Sequence, residues 1–321
     1  MSDGAAPTAH AQNVRHRLIG FGLVTTAAIF WATSVVAGRV ILRQVDALSL
    51  AQASHVVSWL ALALGLAIVR PTLLRVQRRD IWRFALLGAI GIAGSSYLVN
   101  VGIQRTNTVM GVTLQYAAPA IVLIWNRWRG TEKVDWKKVV AVVASMTGCV
   151  FATGLHRGKF VFDALGIAAA GGAAFTFAFV STFSKSFGSR YNPLAFTAHT
   201  FLASSLMYLL FQSHTKLIAA FPNREVVWYM LGYTLVLGLV PIICFFYSLR
   251  FISATAVTIT CSFEIVIAGT LAWIILGEAM APSQIAGSLM ILAAVILIEQ
   301  SRADEEASGD AGETISVVPT S

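Results

Sequence analysis

Ten stretches of this chain are apolar for long enough to cross a lipid bilayer, and that limits the fold more than any other feature. They fall at residues 18–41, 49–69, 84–103, 110–125, 139–155, 164–184, 193–211, 228–248, 254–276 and 282–298; the fourth is short and can begin nearer Thr106. About 20 apolar residues are needed to span the hydrocarbon core. Backbone groups find no partner in lipid, so each crossing must be a helix, and the alternating pattern of a β-barrel strand is absent. Composition agrees: 57% of residues are hydrophobic and 12% are charged, about half the charge of a soluble domain. The expected fold class is an all-α membrane protein with ten transmembrane helices.

The net charge of +8 does not form a continuous basic face, which excludes a nucleic-acid partner. The basic residues gather between apolar runs, at Arg70, Arg75, Arg78, Arg79 and Arg83 and again at Arg127, Arg129, Lys133, Lys137 and Lys138. Placing these clusters inside puts both termini in the cytoplasm, with the bias clear in the first half and weak in the second. Residues 1–16 and the acidic stretch 302–321 are expected to be disordered and solvated. The first 14 residues are polar and small, and the apolar run after them is too long for a cleavable signal, so a bacterial inner membrane is expected. Cys149, Cys244 and Cys261 each lie within an apolar run and read as small buried hydrophobes.

The chain repeats itself at an offset of 146 residues. Gly20 falls on Gly166, Ala27 and Ala28 on Ala173 and Ala174, Arg39 on Lys185, Trp82 on Trp228, and Glu132 on Glu278. Identity alone proves little in so apolar a chain, but the landmarks recur at matching hydropathic positions. The halves are therefore residues 17–155 and 163–300, with five spans each. Five is odd, so the second half enters the membrane upside down, giving two inverted five-helix repeats. Such a pair can open to either side with similar energy, which points to alternating access.

Few side chains could carry the chemistry. Glu264 is the acidic residue deepest in a span, where an ionised carboxylate is costly, so it should face a cavity, meet a cation or hold a proton. Substrate binding, proton coupling and a hydrogen bond to a neighbouring helix are all consistent with that. Arg39 and Lys185 occupy matched span ends, where they can bind anionic groups or snorkel. His55 and His199 can relay protons or bond between helices. Asn100 and Gln104 share a helix face, and with Tyr97, Gln115, Tyr116, Trp31, Tyr247 and Ser262 they offer neutral donors and acceptors to a solute, or glue between helices. One deep carboxylate flanked by basic residues suits a zwitterion such as an amino acid. Ser95 and Ser96 with a distant histidine leave open an intramembrane enzyme acting on a lipid or peptide. No cofactor or metal motif is present, and the partners expected are a small-molecule substrate and the bilayer, with a homodimer allowed.

The run GFGLVTTAAIFWATSVVAGRVI (20–41) and the segment YSLRFISATAVTITCSFEIVIAGTLAWIILGEAMAPSQIAGSLMILAAVILI (247–298) resemble the EamA-type drug/metabolite transporter superfamily, as do the paired glutamates. The resemblance implies ten helices in two inverted repeats around a central cavity, no catalysis, and a substrate among amino acids, amines, nucleotide-linked metabolites, vitamins and drugs. It tilts the direction towards export. The Glu-Pro pair frequent in that family's ninth helix is divided here between Glu264-Ile265 and Ala118-Pro119, which occupy matching slots of the two halves.

Overall fold

The computed structural model describes residues 9–41, 44–106, 108–157, 163–211, 218, 223–276 and 280–315, with no strand among them. Ten crossings follow one another. They are α1 (Ala9–Ile41), α2 (Ala47–Val69), α3 (Ile81–Leu86, π-helical Leu87–Ala93, then Gly94–Arg105), α4 (α4a, Thr108–Gln115; α4b, Ala118–Trp128) and α5 (Trp136–Ala152) in the first half. The second half holds α6 (Ala164–Phe187), α7 (Pro193–Phe211), α8 (Arg224–Gly232, π-helical Tyr233–Leu239, then Val240–Phe251), α9 (α9a, Ala254–Cys261; α9b, Phe263–Leu276) and α10 (Pro282–Ile315). Eight, the broken α9 among them, are long and apolar enough to span; the broken α4 and the 17-residue α5 complete the ten among the described residues.

The repeat is written into the interruptions more clearly than into the residues. The π-helical stretch of α8 begins and ends 146 residues after that of α3, and α9a begins and ends 146 residues after α4a. With five crossings per half, the two units are inverted, and the start of α1 and the end of α10 share one side of the bilayer, here called the terminal face.

Acidic residues at the span ends serve the helices themselves. Asp46 caps α2 through the Ser49 amide at 2.9 Å, Asp135 caps α5 through Lys138 at 2.8 Å, and Asp163 caps α6 through Gly166 at 2.7 Å. Each satisfies an amide that the first helical turn leaves open. The ends of the chain differ from expectation. Helix α1 is already formed at Ala9 and α10 continues to Ile315, so 9–16 and 302–315 are helical rather than disordered. A helix nucleated in the membrane propagates at little cost through a stretch with several Ala and Glu.

Helices α5 and α10, the fifth of each half, lie backbone against backbone. A Cβ on Gly287 would sit 2.3 Å from the Ala152 nitrogen and 2.6 Å from the Gly148 carbonyl oxygen, and one on Gly148 would sit 2.8 Å from the Gly287 oxygen. Small residues permit this approach, and packing rather than solvent exclusion holds helices together in lipid. On the terminal face a charged cluster ties the two halves. Lys138 is fully buried, its Nζ 3.1 Å from Glu132 Oε1 and 2.6 Å from the Lys133 carbonyl oxygen. Glu132 Oε2 accepts from Thr255 at 2.7 Å and Asn126 at 3.0 Å, so the α4–α5 loop grips the start of α9. Burial pushes the Glu132 carboxyl up, but the Lys138 ammonium and the bonds from Thr255 and Asn126 outweigh it, leaving Glu132 below the usual carboxylate range.

Gly287→Val forces α5 and α10 apart and should cost about 1–3 kcal/mol, read as a lower thermal midpoint in detergent; an unchanged midpoint would mean the backbones do not touch. Lys138→Met strands a buried carboxylate and should cost about 3–5 kcal/mol, most of it recovered in Lys138→Met/Glu132→Gln. Because the folded pKa of Glu132 lies below its unfolded value, its stabilisation is full above roughly pH 4.3 and fades as pH falls through the folded value. Glu132→Gln should flatten that acid limb of stability, and an identical limb in wild type and variant would exclude the ion pair as its source.

Candidate functional site

The interruptions of α4 and α9 face one another across a cavity of about 460 Å³. Gln115 and Tyr116 reach it from the end of α4a and the turn that follows, Cys261 and Glu264 from either side of the break in α9. A helix end leaves amides and carbonyls without intrahelical partners, and a carboxylate in the first turn is favoured by the positive end of the helix dipole. Glu264 sits in that turn of α9b, partly buried, and accepts a hydrogen bond from the Tyr116 hydroxyl. The break thus places an acidic group and the partner that orients it on opposite halves of the chain.

The other walls come from α1, α2, α3, α6, α7 and α8. Trp31, Phe245 and Phe177 form an aromatic side, with ring centroids 5.8 Å apart for Trp31–Phe245 and 5.7 Å for Phe177–Phe245. Ser34, Ser54, Ser58, Ser95, Ser96 and Asn100 supply hydroxyls and an amide. Several are already engaged: Ser54 with Thr234 at 2.9 Å, Ser34 with Tyr233, and Ser95 with the Gln115 amide at 3.5 Å. The π-helical stretches border the same space, contributing Ile92 from α3 and Tyr233, Leu237 and Gly238 from α8. A π turn shifts the side chains that follow it, which is one way to aim polar groups inward. Gly88 lets the α3 stretch press on α7, since a Cβ there would lie 2.5 Å from the Thr200 carbonyl oxygen.

The cavity runs from mid-depth towards the face opposite the termini, reaching Leu50 and Ala51 in the first turns of α2. Towards the terminal face it is closed. Phe84 packs edge-on against Phe187 at 5.0 Å and Tyr191 at 5.2 Å, and Phe196 against Phe246 at 4.9 Å. Polar links rim this plug: Tyr191 donates to Asp80 at 2.6 Å, Arg83 pairs with Asp80 at 2.8 Å, and Arg250 donates to the Tyr191 carbonyl.

Of the residues singled out from sequence, Glu264, Tyr116, Gln115, Asn100, Trp31 and His55 share the cavity. The others lie elsewhere. Gln104 is exposed in the last turn of α3, beyond the reach of the face it shares with Asn100. Tyr97 is 51% exposed. Tyr247 holds its ring against the Arg250 guanidinium, and Ser262 is buried at the α9 break, bonded to Ser145 at 3.0 Å. His199 bonds the Ala195 carbonyl at 2.7 Å and stacks on Phe84 within the plug. Lys185 donates to the Ile252 carbonyl at 2.9 Å, away from the cavity. The side chain of Arg39 and all of Glu278 lie outside the described residues. Ser54, Ser34, Tyr233 and Phe245 were not foreseen; residue type alone does not mark a serine or phenylalanine in an apolar helix as facing inward.

The family model described as the EamA-like transporter family matches residues 18–154 and again 164–300. No curated protein matches the chain. A crystal structure of a protein 17% identical in sequence shares the fold with a TM-score of 0.74, over 91% of this chain and 99% of that one. Two family matches in register with two inverted five-helix units, together spanning most of the sequence, place this multi-pass membrane protein in the EamA-like transporter family.

Proposed function

We propose that this protein is a secondary transporter that carries a small amine-bearing metabolite, an amino acid or related zwitterion, across the membrane by alternating access. The observation that carries this reading is the pair of symmetry-matched helix breaks meeting at one cavity, with Glu264 at the junction and one face closed. Non-helical backbone at membrane depth is tolerated where it is buried in protein or lines a cavity, and in many transporters such breaks border the substrate site. A carboxylate beside an aromatic wall suits an ammonium group, whose charge Glu264 meets and whose body Trp31 and Phe245 cover. The distribution of basic residues supports cytoplasmic termini, which makes this the outward-facing state, and the membrane is taken to be a bacterial inner membrane. The resemblance to the drug/metabolite transporter superfamily tilts the direction towards export.

The enzyme reading is weaker on a geometric ground. The serine that meets His55 is Ser204, fully buried and out of reach of any solute, while Ser95 and Ser96 bond instead to Gln115 and Tyr208. A nucleophile must touch both its base and its substrate.

Counterflow of labelled amino acids into proteoliposomes tests the proposal. Glu264→Gln should lower flux by about tenfold to a hundredfold, the loss expected when a charge-assisted hydrogen bond is removed, and should flatten its dependence on pH. Equal flux and an equal pH profile at equal reconstitution would defeat the role given to Glu264, and hydrolysis without flux would favour the enzyme.

A further inference from the structure

The cavity has a second polar pole that Glu264 does not account for. His55 of α2 places Nδ1 2.6 Å from the Ser204 hydroxyl of α7. Ser204 is fully buried, and His55 is the one partner of its hydroxyl among the described residues. A buried hydroxyl proton without an acceptor is costly, so Ser204 donates to Nδ1. A neutral imidazole that accepts at Nδ1 carries its proton on Nε2. Among the described residues Nε2 has no hydrogen-bond partner, it is not fully enclosed, and His55 is one of the residues that line the cavity. Phe201 and Tyr208 meet the ring edge-on at 5.1 and 5.2 Å and hold its plane.

The repeat makes this pole one-sided. The slot that His55 fills in the first half is filled by Phe201 in the second, and the slot of Glu264 is filled by Ala118 in the first. Of the imidazole and carboxyl groups that line the cavity, each half contributes one, a donor from the first and an acceptor from the second. We infer that the Nε2–H of His55 receives a hydrogen-bond acceptor of the transported molecule, so that the substrate class is bifunctional, with an amine for Glu264 and a carboxylate or carbonyl for His55. This rests on the amine reading proposed above. It gives His55 the part that the sequence offered to Lys185, whose ammonium is turned to the Ile252 carbonyl.

The test compares matched pairs that differ only in the carboxylate: phenylalanine with phenethylamine, leucine with isoamylamine, and threonine with 1-amino-2-propanol. Binding is read as thermal stabilisation of the purified full-length protein. Wild type should hold at least one amino acid about tenfold or more tightly than its decarboxylated partner, the discrimination one hydrogen bond to a charged group provides. His55→Phe, which installs the residue of the matching slot, should erase that preference while keeping the amine. His55→Gln retains a donor and should keep part of it; Ser204→Ala frees the ring and should weaken it. Glu264→Gln should lose both members of the pair. Equal binding of amine and amino acid by wild type, or a preference unchanged in His55→Phe, would overturn the role of His55 and leave the amine reading standing. Binding of no member of any pair would overturn the amine reading and this inference with it. Should His55→Phe fail to fold, the Gln and Ser204→Ala variants decide the matter by the same ratio.

Discussion

Lipid offers no hydrogen bonds, and the rest of this architecture is a response to that. A helix can cross unaided because each backbone group finds its partner four residues away; interrupting it strands several of those groups at once. The chain breaks α4 and α9 at mid-depth only where each break faces the other across a shared polar space. Side-chain hydroxyls assist nearby: Ser262 at the α9 break bonds Ser145, and Thr113 in α4a bonds Thr153. The π-helical stretches of α3 and α8 belong to the same economy, since they alter the helical register without severing the backbone bonding.

How far sequence could reach is clearest in the two histidines. Hydropathy places both His55 and His199 within spans, and nothing in their neighbours distinguishes them. The structure sends one to the cavity and sets the other against Phe84 in the plug, because they occupy different faces of packed helices and the packing partner is distant in sequence. Glu264 was legible because a lone carboxylate at membrane depth is expensive wherever it points. Lys185 left two readings open for a related reason: its position at a span end shows that the charge can escape the lipid, but not that the Ile252 carbonyl waits for it. The span boundaries and the repeat were legible because bilayer thickness imposes them locally. The helical run from Arg302 to Ile315 was not, since composition reports solubility and says less about whether a preceding helix propagates.

The two sides of the molecule are held by different forces. Beneath the cavity, edge-on aromatic contacts fill space and Asp80, Tyr191 and Arg83 form short polar links at the rim. Lys138 and Glu132 add a desolvated ion pair, strong once formed and costly to leave half made. The opposite side carries the open space, lined by serines already engaged with neighbours. A closed face with many mutually dependent contacts opens as a unit, which is how a small solute could bias a large rearrangement.

The seam between α5 and α10 has a mechanical meaning. Neither helix contributes a residue to the cavity, and at Gly148 and Gly287 no side chain stands between their backbones. Surfaces that meet so closely resist separation but tolerate a small rotation about the point of contact, since rotation there displaces few atoms. In the alternating-access transporter proposed above, a seam of this kind, set apart from the solute path, would serve as the axle about which the other helices turn.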